Sequence, residues 1–230
     1  MTQIYVAGIA MTVFGRHPER SLEDLAGEAL NRALADAGCT APQIGVAYYS
    51  GMTNGTLQGQ ISIPGQVIFS KIGIEGIPVY NVENACASGS SAFNLAVQSL
   101  KAGTADVALA IGAEKMNIPD KAKAFAIFEG GWDVSRAEAN AAVLMRMGEG
   151  ITPPPGSESD KPYSKFMAIY AAFCRWHMKT YGTTQRQIAA VCAKNHQHSV
   201  HNPFSQFRKP FTIDEVLAAP PITYPITLPM

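Results

Sequence analysis

The first half of the chain alternates between short apolar runs and stretches with helical spacing, and few folds accommodate that order. Val46–Ser50, Val79–Val82 and Val107–Ile111 are short and mostly apolar, which is typical of buried strands. Gln3–Ala10 has the same character and is predicted to be the first strand. Strands that alternate with helices form βαβ units, so we predict an α/β fold with a parallel sheet over residues 1–116.

Two helices are predicted within this section. Ser21 followed by Asp24 has the spacing of a capping box, and apolar residues then recur at helical spacing through Leu22–Ala37. Gly38 is expected to end that helix. A second helix is predicted from about Cys86 to Lys101, directly after the third strand.

The second half lacks this alternation and contains several turn signals between helical patterns. We therefore predict a largely helical lid over residues 117–210. Thr212–Glu215 has the pattern of a capping box that begins a short helix, but the many prolines around it favour an irregular, extended tail over residues 211–230. The helices predicted in the lid are Arg136–Met147, Tyr163–Tyr181 and Thr184–Val200.

Charge is balanced over the whole chain but not along it. The 230 residues are 47% hydrophobic and contain 18 basic and 18 acidic side chains, which is not a disordered composition and argues against a general nucleic-acid binder. Residues 161–210 carry eight basic side chains and no Asp or Glu. This basic block is consistent either with an anionic ligand or with a solvated helix face.

The four cysteines are not arranged as a disulfide framework. Cys39, Cys86, Cys174 and Cys192 show no CxxC spacing, which favours a reducing compartment. We find neither the pattern of a signal peptide nor an apolar run long enough to span a bilayer. We therefore expect a cytoplasmic protein that does not use a membrane or nucleic acid as a partner.

Cys86 is the residue with the clearest chemical potential. It follows a predicted strand and lies at or near the start of a predicted helix. Unpaired N–H groups and the helix dipole at that position favour the negatively charged thiolate, which is the nucleophilic form of cysteine. The same N–H groups could stabilise the oxyanion of an acyl intermediate. The alternative is an ordinary buried cysteine.

The segment from Asn84 to Ala92, Asn-Ala-Cys-Ala-Ser-Gly-Ser-Ser-Ala, resembles the nucleophile segment of thiolases, above all the sterol-carrier-protein or lipid-transfer type. Gly112–Met116 resembles the strand-end motif that follows it in the family, and His177–Thr184 resembles the family's loop domain. The resemblance covers nearly the whole chain. It implies a βαβαβαββ N-terminal domain with a mostly parallel, five-stranded sheet and a helical loop domain.

The resemblance also implies a function in lipid metabolism. The chain would be part of an acyl-CoA C-acyltransferase that cleaves or forms 3-ketoacyl-CoA, with Cys86 as the catalytic nucleophile that carries the acyl group. Phe166 and Met167 would line the pantetheine and acyl pocket, although they could equally be lid core. Coenzyme A would be a substrate rather than a permanent cofactor, and the basic block would bind its phosphates.

The family comparison leaves other functions open. Thiolases have a second half that provides a base, and its motifs would lie beyond Met230. The chain could instead belong to a lipid-transfer-type aldolase or lyase with an OB-fold partner protein, or be a non-catalytic acyl-CoA-binding or assembly subunit. In each case the resemblance implies a homodimer.

Four of the five histidines lie between residues 177 and 201, which raises the question of a metal site. His198 and His201 share a helical face, but His196 aligns poorly with either, and no Asp, Glu or Cys stands nearby at ligand spacing. We therefore predict no metal site.

Overall fold

The computed structural model describes residues 3–230, except for the side chain of Lys121. The chain divides into two compact units, one that extends to Ile127 and one that spans Phe128–Met230. The expected α/β section lies in the first unit, which also contains residues 117–127 of the expected lid. The rest of the lid and the expected tail lie in the second unit. The helices and strands of the first unit are α1 (Leu22–Ala37), β1 (Val46–Ser50), α2 (Pro64–Lys71), β2 (Val79–Val82), α3 (Ser88–Lys101), β3 (Ala108–Gly112) and α4 (Lys121–Ala126).

The first unit is built on a parallel sheet whose central strand is β1. The strand order is β2-β1-β3, with Ala47 opposite Val79 and Val46 opposite Ala108. Side chains alternate along β1, so Tyr49 joins a core with α1 and α2, whereas Tyr48 joins a core with α3. The α/β class and the bounds of β1 and β2 are as predicted, and β3 begins and ends one residue later than expected.

Helix α1 confirms the sequence signals at both of its ends. Ser21 and Asp24 form a complete capping box, in which the Ser21 hydroxyl accepts the Asp24 N–H and the Asp24 carboxylate accepts the Ser21 N–H. Gly38 ends the helix in the left-handed conformation, with φ of 63°, which glycine adopts without a steric penalty.

The prediction of a strand at Gln3–Ala10 is wrong: this segment has no strand hydrogen bonding. It packs on α1 instead, where a Cβ at Gly8 would lie only 2.6 Å from the Ala37 nitrogen. The Ile9 N–H donates to the Asp36 carboxylate over 2.9 Å. The parallel sheet of the described residues therefore has three strands, in the order β2-β1-β3, rather than the five expected.

Two helices of the first unit, α2 and α4, were not anticipated. Helix α2 is only eight residues long and begins at a proline followed by a glycine, two residues that usually signal a turn. Pro64 occupies the first turn of the helix, where its missing N–H has no cost. Gly65 allows the helix to approach β1, since an added Cβ would lie 2.6 Å from the Tyr49 Cβ.

The second unit is mostly helical, as expected for residues 117–210. The irregular tail expected after residue 211 is instead ordered: Thr212 caps α8, as its capping box predicts, and a two-stranded antiparallel sheet follows. Val216 of this tail packs with Ala189 and Ala193. The burial of apolar side chains therefore stabilises an ordered conformation of this segment despite its prolines. The elements are α5 (Ala137–Arg146), α6 (Lys165–Tyr181), α7 (Gln185–Ser199), α8 (Ile213–Ala218), β4 (Pro221–Thr223) and β5 (Ile226–Thr227).

Within the described residues, none of the helices combines the length and the apolar character needed to cross a bilayer.

The close approach of β1 and β3 at their carboxyl ends predicts that Gly112→Ala destabilises the first unit. A Cβ at Gly112 would lie 2.5 Å from the Ser50 Oγ and 2.8 Å from the Ser50 carbonyl oxygen, so the strands would have to separate. We expect a loss of about 2 kcal/mol in the free energy of unfolding, measured by urea denaturation. Gly89→Ala is the matched control, because its Cβ would lie 4.0 Å from the same Ser50 Oγ. Equal stability of the two variants would contradict this packing.

Candidate active site

Cys86 lies in the short connection between β2 and α3. The strand ends at Val82, a single 3-10 turn spans Ala85–Ala87, and α3 begins at Ser88. Cys86 therefore precedes the helix by two residues instead of starting it. The residue is exposed, so it is not the buried cysteine that the sequence left open as an alternative.

The backbone of this turn has an unusual conformation. Ala85 has φ of +46°, in the left-handed region that side chains with a Cβ rarely adopt. Its N–H donates to the Glu83 carboxylate over 2.6 Å, and the Ala87 N–H donates to the Asn84 carbonyl oxygen over 2.9 Å. Such strain persists where the surrounding contacts over-determine the backbone, and it is common at functional sites.

The parallel sheet brings other polar groups to the same edge as Cys86. The carboxyl ends of β1, β2 and β3 lie side by side, so the segments after Ser50, Val82 and Gly112 leave the sheet together. The Glu114 carboxylate accepts N–H groups of Met52 and Thr53, at 2.7 Å and 3.2 Å. This carboxylate therefore fastens the loop after β1 to the segment after β3.

Tyr49 also joins the loop after β1 to the segment after β3 through hydrogen bonds. Its hydroxyl donates to the Ala113 carbonyl oxygen over 2.9 Å and accepts from the Asn54 side-chain amide over 2.7 Å. Burial raises the pKa of Tyr49 to about 12, so the phenol stays protonated at neutral pH and keeps its donor. These hydrogen bonds therefore hold the Gly-rich loop at residues 51–60 in place.

Phe166 and Met167, the expected pocket residues, lie in the first turn of α6 in the second unit. The Ser164 hydroxyl accepts the Phe166 N–H over 3.2 Å, which fixes the start of the helix. The Phe166 ring stacks on Trp132, with centroids 4.7 Å apart, and packs at 5.9 Å from Phe128. Sequence reasoning missed Trp132 and Phe128; the signal that could have found them is a pair of aromatics flanking Gly130-Gly131.

The remaining cysteines differ from Cys86 in their surroundings. Burial raises the pKa of the Cys174 thiol, and burial also raises the pKa of the Cys192 thiol. The Cys192 Sγ donates to the Pro229 carbonyl oxygen over 3.1 Å. Both side chains are partly buried. Their environment disfavours the nucleophilic thiolate.

His196 and His177 make local contacts within the second unit. The His196 Nε2 lies 3.2 Å from the Pro229 carbonyl oxygen, and its ring meets Phe211 edge-on at 4.8 Å. The His177 Nδ1 lies 2.8 Å from the Thr183 hydroxyl. Across residues 3–230, three or more His, Cys, Asp or Glu side chains do not come together in a group that could hold a metal ion.

The basic block is partly structural. Six of its eight side chains have partners within the second unit, and the other two, Lys161 and Lys194, are exposed. The partnered contacts are Lys165 with Glu138, Arg175 with the Tyr224 carbonyl oxygen, Lys179 with the Glu149 carbonyl oxygen, Arg186 with Asp214, Arg208 with the Val200 carbonyl oxygen and Lys209 with the Phe211 ring. A solvated face and an anion-binding role are therefore alternatives for the exposed side chains of the block only.

A cleft of about 440 Å³ in the first unit is not part of the Cys86 turn. It lies between Ile4–Val6 and the later turns of α3, from Phe93 to Lys101. Its walls are mostly apolar, with one lysine at its border. Cys86 precedes the other end of the same helix, so this cleft does not enclose the nucleophile.

Comparison with known proteins identifies the family. Residues 4–217 match the family model described as "Thiolase, N-terminal domain". The chain belongs to the thiolase family. The matched residues include most of both units.

The relatives of this thiolase N-terminal domain are longer proteins. The chain is 33% identical over 217 residues to a sterol carrier protein 2 of Gallus gallus, covering 94% of the chain and 36% of that protein. It is 30% identical over 229 residues to an acetyl-CoA acetyltransferase of Methanothermobacter thermautotrophicus, covering 99% of the chain and 53% of that protein. The chain thus spans between about a third and half the length of these relatives.

Solved structures agree on the fold. A structure described as an Ltp2-ChsH2(DUF35) aldolase matches with a TM-score of 0.65 and 22% identity, over 97% of this chain and 50% of that one. An acetyl-CoA acetyltransferase from Syntrophomonas wolfei matches with a TM-score of 0.53 and 24% identity, over 85% of this chain and 46% of that one. Both matches support a thiolase-like α/β fold.

Proposed function

We propose that Cys86 accepts an acyl group from acyl-coenzyme A and that the chain acts as the nucleophile-bearing part of a thiolase-type acyltransferase. The observation that carries the proposal is the exposed cysteine in a strained turn directly before α3. Membership of the thiolase family and the similarity to an acetyl-CoA acetyltransferase support the same chemistry.

The proposed step is a thioester exchange. The Cys86 thiolate attacks the carbonyl carbon of the acyl thioester, and a bond from that carbon to the Cys86 sulfur forms. The bond between the carbonyl carbon and the coenzyme A sulfur then breaks, and coenzyme A leaves as a thiolate that takes up a proton. The acyl group then passes to coenzyme A or to a carbanion, depending on the direction of the reaction.

The proposal assigns supporting roles to the second unit. Phe166 and Met167 would line the path of the pantetheine arm and acyl chain, with Trp132 holding the Phe166 ring in place. Exposed side chains of the basic block would bind the phosphates of coenzyme A. Coenzyme A is a substrate in this scheme and is not bound permanently. A second thiolase half, in the same chain or another, would provide the base for catalysis.

Incubation with acetyl-coenzyme A, followed by intact-mass and peptide mass spectrometry, tests the proposed acyl-enzyme. We expect one acetyl group on Cys86, none on a Cys86→Ala variant and an unchanged adduct on the matched control Cys39→Ala, because Cys39 follows the end of α1 and lies outside the turn. An adduct that survives in Cys86→Ala, or no adduct on the parent chain, would contradict the proposal.

Two other functions are distinguished when catalytic activity and coenzyme A binding are measured for the same proteins. Activity that persists in Cys86→Ala would favour an aldolase or lyase that works with an OB-fold partner. The solved Ltp2-ChsH2(DUF35) aldolase supports this alternative through its fold only. Absence of both an adduct and coenzyme A binding would favour a non-catalytic assembly subunit.

We also propose a homodimer formed through the open edge of β2. This strand is at the edge of the sheet, and the carbonyl oxygen of its last residue, Val82, accepts the N–H of Gly51, just after β1. Because backbone groups alternate in direction along a strand, Asn81 directs its own N–H and carbonyl away from β1. An edge of this kind can pair with a second copy of the same strand.

Multi-angle light scattering of two Asn81 variants tests this dimer. Asn81→Pro removes the outward N–H, whereas Asn81→Ala removes only the side chain, which bonds Gly65 and Gln66. We expect a dimer for the parent chain and Asn81→Ala, and a monomer for Asn81→Pro. A parent chain that is monomeric at micromolar concentration would contradict the proposed interface.

A further inference from the structure

The turn that carries Cys86 contains a buried hydroxyl that the proposed reaction does not use. Ser88, the first residue of α3, is 6% exposed. Its Oγ accepts the Asn84 N–H over 2.9 Å and donates to the Ala85 carbonyl oxygen over 2.7 Å. One hydroxyl therefore joins backbone groups on both sides of the Ala85 Cα.

These two hydrogen bonds act on the strained residue. Ala85 has φ of +46°, a conformation that its Cβ disfavours and that neighbouring contacts must maintain. If the Ala85 backbone rotated toward an ordinary conformation, its carbonyl and the preceding N–H would no longer converge on the Ser88 hydroxyl. Both groups would then lose a partner, which makes the relaxed turn costly.

The constraint passes directly to Cys86 through the peptide bond. The Ala85 carbonyl and the Cys86 N–H belong to one planar trans peptide unit and point in opposite directions. A hydroxyl that fixes the carbonyl therefore also fixes the Cys86 N–H and the position of the Cys86 Cα. The sulfur is then held in an exposed position, directly before the first turn of α3.

We propose that Ser88 is a positioning residue, whose hydroxyl holds Ala85 in the left-handed conformation and thereby fixes the exposed sulfur of Cys86 in front of α3. The inference rests on the proposed role of Cys86 and adds the residue that orients it. Ser88 does not touch the substrate in this account. Ser88 acts on the position of Cys86 through the backbone of Ala85.

Alkylation of Cys86 by iodoacetamide, measured peptide by peptide, tests this role without requiring acyl transfer. We expect Ser88→Ala to slow the alkylation of Cys86 about fivefold, since the turn loses both bonds. Ser90→Ala is the matched control, because the Ser90 hydroxyl is exposed on the same helix and donates to the Ala87 carbonyl oxygen. We expect its alkylation rate to stay within about twofold of the parent chain.

A second substitution separates backbone positioning from a general loss of structure. Glycine adopts positive φ without a penalty, so Ala85→Gly should remove the need for the Ser88 hydroxyl. We therefore expect the double variant Ala85→Gly/Ser88→Ala to react within about twofold of the parent rate. If Ser88→Ala does not fold by circular dichroism, the same reasoning predicts that the double variant does.

Three results would overturn the role of Ser88. These are an unchanged rate in Ser88→Ala, an equal loss in Ser90→Ala, and a failure of Ala85→Gly to restore either the rate or the fold of Ser88→Ala. None of them depends on acyl-coenzyme A. A chain that shows the expected alkylation pattern but forms no acyl adduct would refute the proposed function and leave the positioning role intact.

Discussion

The pairing of β1 with both β2 and β3 is the constraint from which the geometry of the site follows. Because all three strands are parallel, their carboxyl ends lie at one edge, and the chain leaves the sheet there three times. One of these exits is the turn with Cys86, and the other two are joined by the hydrogen bonds of Glu114 and Tyr49. The turn with Cys86 therefore extends from a sheet edge whose other two connections are held together by hydrogen bonds.

The sequence predicted this part well because local and long-range signals agree. The apolar runs of β1 and β2 are short and bounded by turn residues, and the Ser21 capping box marks the start of α1 without ambiguity. The position of Cys86 after a strand could also be predicted, since Val79–Val82 runs almost directly into a helical pattern. These features depend on residues that are close in sequence.

The errors concern features that depend on tertiary packing. Gln3–Ala10 has the composition of a strand, but composition does not say which partner its backbone finds, and Ile9 finds Asp36 of α1. The stacking of Trp132 on Phe166 joins residues far apart in the chain and leaves no periodic signal. The positive φ of Ala85 was equally hidden, because alanine gives no hint of the left-handed conformation that glycine would suggest.

The central claim is that Cys86 is the accessible and reactive thiol of this chain. It is tested most directly by the time course of iodoacetamide labelling of the native protein, resolved for each cysteine by peptide mass spectrometry. Cys86 is exposed, whereas burial raises the pKa of the Cys174 and Cys192 thiols. The account predicts that Cys86 is labelled at least about tenfold faster than either of them near pH 8. Labelling of Cys174 or Cys192 as fast as Cys86 would contradict it.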